Sequence, residues 1–358
     1  MKKILVIQNK RIGDVLISSV IANNIKKIFP ESEITYFVYD YTTGVLENNP
    51  NIDRIIAVKE KELKKFGKLY KTLLKIRAEK YDIIFDSYAK FQSRLICLFS
   101  GAEIRTGFKR SYKKLKLPFY THPIDFLDHK SKFCGKAIED RFNMITNLFP
   151  LKEPEYRPKI FLTDGEKSYH KTASLKKPIV MFGIMGSTKA KSMPLDYVAQ
   201  LVDFVLENYN VSLLFNYAPY QLEEAKHVYS LCTHKERIFM DIYESSIRGF
   251  CVLMNSCDLL IANEGGSIHI AKALDKPTFT IYSPFIDKGD WSSFEDEITH
   301  QSVHLLEEKP ELFEEFTRDS RKEIEANPES LYRHLTPEII LKKLKPFLDK
   351  HLKPAKVD

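Results

Sequence analysis

The sequence predicts an α/β protein made of two doubly wound, parallel-sheet domains, and three observations predict it. Short apolar runs, suited to strands buried on both faces, alternate with stretches of helical spacing along both halves of the chain. A proline-stiffened segment, Lys152 to Arg157, separates the two series. The stretch Asp258 to Tyr282 reads as one complete strand–loop–helix–strand unit. In it Leu259 to Ala262 is an apolar strand, and Asn263 to Gly266 is a polar, glycine-bearing loop. Ile268, Ile270, Ala271 and Leu274 then follow helical spacing behind Ser267 as N-cap, and Thr278 to Ile281 is the next strand.

From the start of the chain, Lys3 to Gln8 is an apolar strand of the central parallel kind. Asn9 to Gly13 is a loop, and a helix begins at Asp14 with Val15, Ile17, Val20, Ile21, Ile25 and Ile28 on its apolar face, ended by Pro30. Glu33 to Tyr39 is a strand, Val45 to Asn51 a short helix and turn, and Ile55 to Val58 a further strand. Glu60 to Lys80 reads as one long, lysine-rich amphipathic helix carrying Leu63, Phe66, Leu69, Leu73, Leu74 and Ile76. Tyr81 to Phe85 is the next buried strand. From Gly107 to Lys136 the rhythm breaks into a long loop with short strands, where Lys109, Arg110, Lys113, Lys114 and Lys116 sit among aromatic residues. Ala137 to Phe149 returns to helix.

The second series has a strand at Pro178 to Phe182, a helix at Leu195 to Asn208 and a strand at Val211 to Phe215. Helices at Gln221 to Cys232 and Ile247 to Asn255 lead into the Asp258 unit. Thr336-Pro337 opens a last helix through Leu348, and Lys350 to Asp358 is a disordered tail. The expected division is 1–157, 158–335 and a C-terminal helix and tail, 336–358.

Composition bounds the function. An apolar fraction of 44% with 29% charged residues describes a soluble globular chain of 358 residues. No apolar run approaches roughly 18 residues, so no transmembrane helix is expected, and the N-terminus lacks a signal-peptide cleavage site. Five cysteines without a C-x-x-C pair suggest neither a disulfide framework nor a zinc site, which fits a reducing cytoplasm. A formal charge of +7 hints at an anionic partner.

Open parallel sheets bind ligands at the carboxyl ends of their strands, where three loops stand out. Gly265 and Gly266 let backbone N–H groups approach a ligand, and the helix N-terminus behind them favours an anionic group such as phosphate. The same loop is equally an ordinary turn in which His269 caps or packs. Asp14, after the first strand and a glycine, is either an N-cap or a carboxylate aimed into the site as general base. Ser187, Thr188, Lys189 and Lys191, after the first strand of the second series, suit a second anion contact or simple solvation.

Together these loops resemble the heptosyltransferases of family 9 of the glycosyltransferases. Arg11-Ile-Gly13-Asp14-Val15-Leu16 matches the family's opening Gly-Asp-hydrophobic loop. Asn263-Glu264-Gly265-Gly266-Ser267-Ile268-His269-Ile270-Ala271-Lys272-Ala273-Leu274 resembles Asn-Asp-Thr/Ser-Gly-x-x-His-hydrophobic-Ala-x-Ala-Leu. Lys191-Ser192-Met193-Pro194 stands for Lys-x-Trp-Pro. Gly265 in place of a hydroxyl residue, Glu264 for Asp and Met193 for Trp are departures that bear on which donor sugar is used.

The resemblance implies two Rossmann-like domains facing across a cleft (the GT-B type), the first for the acceptor and the second for a nucleotide sugar. It implies inverting transfer of a sugar, typically heptose from ADP-heptose, to the lipopolysaccharide inner core, with no cofactor; the sequence has no Asp-x-Asp ligand pair, so metal-independent transfer is expected. Asp14 is then the catalytic base. Ser187, Thr188, Lys191, Glu264, Gly265, Gly266 and His269 bind the donor, with Glu223 or Glu224 near a ribose. Arg11, Lys113, Lys114 and Lys116 bind the lipid A-core acceptor, and the enzyme works in the cytoplasm, peripheral to the inner membrane. The competing readings are the same fold with another nucleotide sugar, or a non-catalytic anion-binding protein. No nucleic-acid motif accompanies the basic stretch, so a nucleic-acid partner is not expected.

Overall fold

The computed structural model describes residues 1–109, 117–128, 134–169, 171–314 and 328–354. They form two compact units, Met1–Phe161 with Gly289–Ser293 and Leu162–Lys288 with Phe294–Asp358.

In the first unit, β1 (Lys3–Gln8), β2 (Glu33–Tyr39), β3 (Arg54–Val58), β4 (Ile83–Asp86), β5 (Ile104–Phe108) and β6 (His122–Ile124) pair in the order β3-β2-β1-β4-β5-β6. Every pairing is parallel. The principal helices are α1 (Ile12–Ile28), α2 (Phe66–Glu79), α3 (Phe91–Ser100) and α4 (Lys136–Thr146). Alternation along the strands covers both sheet faces. Leu5, Ile7 and Phe37 pack with Leu69, Ile76 and Ile96 of α2 and α3, while Tyr36 points the other way and donates its hydroxyl to Ser18 O of α1 at 2.6 Å. α1 is buried from Gly13 to Ile25, with α4 packed against it.

In the second unit, β7 (Ile179–Gly183), β8 (Ser212–Asn216), β9 (Leu259–Asn263), β10 (Thr278–Ile281) and β11 (His300–Val303) pair in the order β11-β10-β9-β7-β8, again all parallel. α5 (Leu195–Asn208), α6 (Leu222–Leu231), α7 (Ile247–Ser256), α8 (Gly266–Ala273) and α9 (Pro337–His351) complete it. These are the two common doubly wound strand orders, and each reverses direction once. The reversal falls between β1 and β4 in one sheet and between β7 and β9 in the other.

Several elements differ from the sequence expectation. α1 begins at Ile12, with Arg11 as N-cap, so Asp14 sits inside the first turn and is not the cap. α8 begins at Gly266 with Gly265 at the cap position, so Ser267 is not the cap either. Residues 60–80 are not one helix: Glu60–Leu63 is a single turn, and α2 starts at Phe66. At about 100° per residue, a continuous helix would point Leu63 about 120° away from Leu69, whereas both are buried. The break lets both reach the core. α3 and the polar strand β11 were not anticipated.

The C-terminal helix is part of the second unit's core. Ile340, Leu344, Phe347 and Leu348 of α9 are buried with Val180, Phe182, Ile261 and Phe279 from β7, β9 and β10, and the Phe279 and Phe347 rings lie 5.7 Å apart. Truncating Phe347 to Ala should therefore destabilise the protein by about 3–5 kcal/mol, read as a lower urea midpoint. A loss of a few tenths of a kcal/mol would mean that α9 is an appendage.

Candidate active site

At the reversal point of the first sheet, the turn after β4 is built by Asp86. Its Oδ1 accepts Tyr88 N (3.2 Å) and Ala89 N (2.8 Å), and Tyr120 donates its hydroxyl to Oδ2 at 2.7 Å. Complete burial raises the Asp86 pKa above the usual carboxylate range. The turn is tied to β1 by Gln8, whose Nε2 donates to Ser87 Oγ at 3.1 Å. In the angle between these strand ends lies a pocket of about 210 Å³ lined by Lys10, Asp14, Tyr88, Lys136, Arg141 and Trp291 among others, all within the first unit.

Asp14 faces this pocket with 7% of its side chain exposed. Lys10 Nζ lies 2.9 Å from its Oδ1, and the Arg141 guanidinium, carried in by α4, lies 3.6 Å away. Lys10 is itself 5.7 Å from the Trp291 ring centroid. Beside them Lys136 pairs with Asp140 at 2.9 Å. A carboxylate flanked by cations in a small, half-closed pocket can accept a proton from a bound hydroxyl while the cations hold an anionic substituent nearby. Arg11 is exposed at the head of α1. Lys113, Lys114 and Lys116 lie outside the described residues, and Lys109 is paired with Asp125 at 2.6 Å on the surface.

The reversal point of the second sheet gathers the other two loops. The chain after β7 doubles back so tightly that a Cβ on Gly186 would lie 2.2 Å from Lys191 O. Gly186 N donates to Ser192 Oγ (3.0 Å), Ser192 Oγ donates to Thr188 O (2.8 Å), and Gln221 donates to Gly186 O (2.9 Å). Asn263, ending β9, fastens this loop: its Oδ1 accepts Met193 N (3.2 Å) and the hydroxyl of Tyr332 (3.0 Å). Ser187 and Thr188 are left exposed at the tip.

These ties place Lys191 Nζ 2.9 Å from Glu264 Oε1. The ammonium lies within ion-pair distance of this largely buried carboxylate. Burial of Glu264 raises its pKa, with Lys191 opposing the shift. Gly265 follows, and a Cβ there would meet nothing within 4 Å, so the backbone is open to an approaching group. No side-chain hydrogen bond caps α8 among the described residues, leaving its first-turn amides and dipole directed at that opening. His269 is half-buried one turn in. Of the two glutamates on α6, Glu223 is exposed and paired with Lys226 at 2.8 Å, and Glu224 is half-buried.

Sequence reasoning did not single out Lys10, Arg141, Trp291 or Tyr332. Lys10 lies inside the Asn9–Gly13 loop but was given no role there. Arg141, Trp291 and Tyr332 carry no local signal, because strand order and chain return alone bring them to these loops.

Two Rossmann-like units, one presenting a buried carboxylate and the other a lysine loop and an open helix N-terminus, define a glycosyltransferase of the GT-B fold. The chain belongs to glycosyltransferase family 9, the heptosyltransferase family, whose model matches residues 69–318. It is similar to lipopolysaccharide heptosyltransferase 1 of Campylobacter coli, 24% identical over 290 residues that span 78% of this chain and 83% of that one. Its fold resembles a family 9 glycosyltransferase of Veillonella parvula (TM-score 0.79, 19% identity, 98% of each chain covered). It also resembles the Escherichia coli ADP-heptose lipopolysaccharide heptosyltransferase II (TM-score 0.72, 19% identity, 98% of this chain and 99% of that one).

Glu264 makes a pH-dependent contribution to stability. Its carboxyl titrates above the ordinary 4.5 in the folded chain, so its contribution is fully present below that value and is lost as pH rises through the folded pKa. Glu264→Gln should accordingly raise the unfolding temperature near neutral pH, with the gain shrinking on acidification toward 4.5. A calorimetric gain that is independent of pH would show that the ionisation is not what matters.

Proposed function

We propose that the protein transfers heptose from ADP-heptose to the inner core of a lipid A-anchored lipopolysaccharide acceptor, by an inverting and metal-independent displacement at the cytoplasmic face of the inner membrane. The observation that carries this reading is the pairing of Asp14 with Lys10 and Arg141 inside a pocket at the carboxyl ends of β1 and β4. The ADP-heptose of the Escherichia coli enzyme's name and the lipopolysaccharide of the Campylobacter enzyme's name come to this chain as part of the proposal. No helix among the described residues is long and apolar enough to cross a membrane, which is consistent with a peripheral enzyme.

In this mechanism the Asp14 carboxylate takes the proton of the acceptor hydroxyl as its oxygen attacks the anomeric carbon. The bond from that carbon to the diphosphate breaks on the opposite face, so a single displacement inverts the centre. Lys10, Lys136 and Arg141 face acidic substituents of the acceptor, with Arg11, Lys113, Lys114 and Lys116 assigned to its outer parts. Negative charge gathers on the departing ADP. Lys191, the Gly265 and Gly266 amides, the α8 dipole and His269 stabilise it, with Ser187 and Thr188 donating from the loop tip. One such donor is worth roughly 3 kcal/mol of barrier. Glu264 only accepts hydrogen bonds when ionised, so it suits sugar hydroxyls and not phosphate. With that positive charge supplied by the chain, turnover is expected to persist in excess chelator.

Asp14→Asn should lower transfer by about 10²–10⁴-fold while ADP affinity stays within twofold or so of the parent. Near-parental turnover would remove the base from this scheme. Replacing Lys191 or His269 with Ala should weaken ADP binding and leave adenosine binding nearly unchanged, because adenosine lacks the phosphates these residues face. Equal losses for both ligands, measured by calorimetry, would point to packing instead.

A further inference from the structure

The helix pair α2–α3 presents a surface that the transfer site does not use. At about 100° per residue, Phe66, Tyr70 and Leu74 lie about 70°, 110° and 150° from the direction of the buried Leu69 and Ile76. They turn away from the core and are 85%, 54% and 50% exposed. α3 packs against α2, and the Arg77 guanidinium donates to Phe99 O at 3.2 Å. On α3, Phe91 and Phe99 are likewise 45% and 48% exposed. Monomeric soluble proteins scatter such residues singly; a strip marks a contact.

The charge around the strip is as uneven. Residues 59–80 hold nine lysine and arginine residues against three glutamates, a formal +6 of the chain's +7. Lys64 and Lys68 are paired with Glu60 and Glu62, whereas Lys61, Lys65, Lys71 and Lys75 form no ion pair among the described residues and are exposed. Beside the aromatic strip on the outward side of α2, with Lys71 about 60° round from Leu74, a groove of about 670 Å³ runs along the edge strand β3, with Ile56 and Val58 in its lining and Lys68, Lys71 and Lys75 on its α2 side.

We propose that the outer face of α2–α3 docks the enzyme on an anionic phospholipid bilayer, with Phe66, Tyr70 and Leu74 entering the headgroup layer and Lys61, Lys65, Lys71 and Lys75 meeting lipid phosphates. Apolar side chains inserted at the interface and lysines held above it contribute independently to such binding. A purely polyanionic partner such as a nucleic acid would leave the apolar strip unsatisfied. The assignment rests on the reading that the acceptor is lipid-anchored.

The test uses the full chain and sedimentation with vesicles of phosphatidylcholine, alone or with about one-third phosphatidylglycerol. Binding should require the anionic lipid and fall with salt. It should weaken roughly tenfold in a triple variant, Phe66→Ser with Tyr70→Ser and Leu74→Ser, and comparably in Lys71→Gln with Lys75→Gln. Both variants should transfer heptose to an acyl-free, soluble acceptor with parental kcat and KM, and show a raised KM for acceptor embedded in anionic vesicles. Absence of parental binding to anionic vesicles at low salt would overturn the docking face. So would parental binding by the triple variant, which would leave a general polyanion site competed by heparin. If the parent binds and the variants do not, yet no soluble acceptor is heptosylated, the docking face stands and the proposed reaction fails.

Discussion

The reversal of strand order in each sheet is the constraint on which the rest of this structure depends. A right-handed crossover carries its helix to one face of the sheet, and reversing the direction of winding sends the next helix to the other. Between the two strands where this happens, the loops part and the carboxyl ends are left uncovered. β1 and β4 make one such opening, β7 and β9 the other. Side-chain ties then fix the loops at their edges: Gln8 to Ser87 in the first unit, Asn263 to Met193 in the second. Each opening is thereby a rigid frame with a few polar groups aimed inward, the arrangement binding sites need.

Within those frames the two carboxylates are treated differently. Asp14 lies in the first turn of α1 and has two cations within 4 Å. Glu264 has one, Lys191, and burial prevails over it, so its carboxyl titrates above the ordinary carboxylate value. Lys10 and Lys191 both remain partly exposed, so each ties its loop to a largely buried carboxylate while water screens the cation.

The family assignment fits this physics without depending on high identity. The fold is shared with solved structures at 19% identity, as expected where the backbone ladder and not particular side chains sets strand order. Two of the departures from the family's motifs have a clear structural setting. Gly265 leaves room where a Cβ would touch nothing, and Met193 is buried in the second core.

The sequence by itself determined the alternation of strands and helices, the loops that follow β1, β7 and β9, and the presence there of Asp14, Lys191, Glu264, the two glycines and His269. Those are local properties: a periodicity of two or 3.6 residues, a glycine or proline at a turn, a polar run between apolar ones. Where the local signal was weak, the reading was incomplete. β11 is a polar strand held by backbone pairing, α3 is headed by a lysine and not by a usual capping residue, and α1 and α8 start away from the expected residues. Only the tertiary structure decided which strands lie side by side. It alone brought Arg141 and Trp291 to the Asp14 pocket, set Lys191 against Glu264, folded α9 into the second core, and turned Phe66 and Leu74 outward. The physical reason is that these outcomes depend on hydrogen-bond ladders and helix phase set by packing between distant segments, and no window of neighbouring residues carries that information.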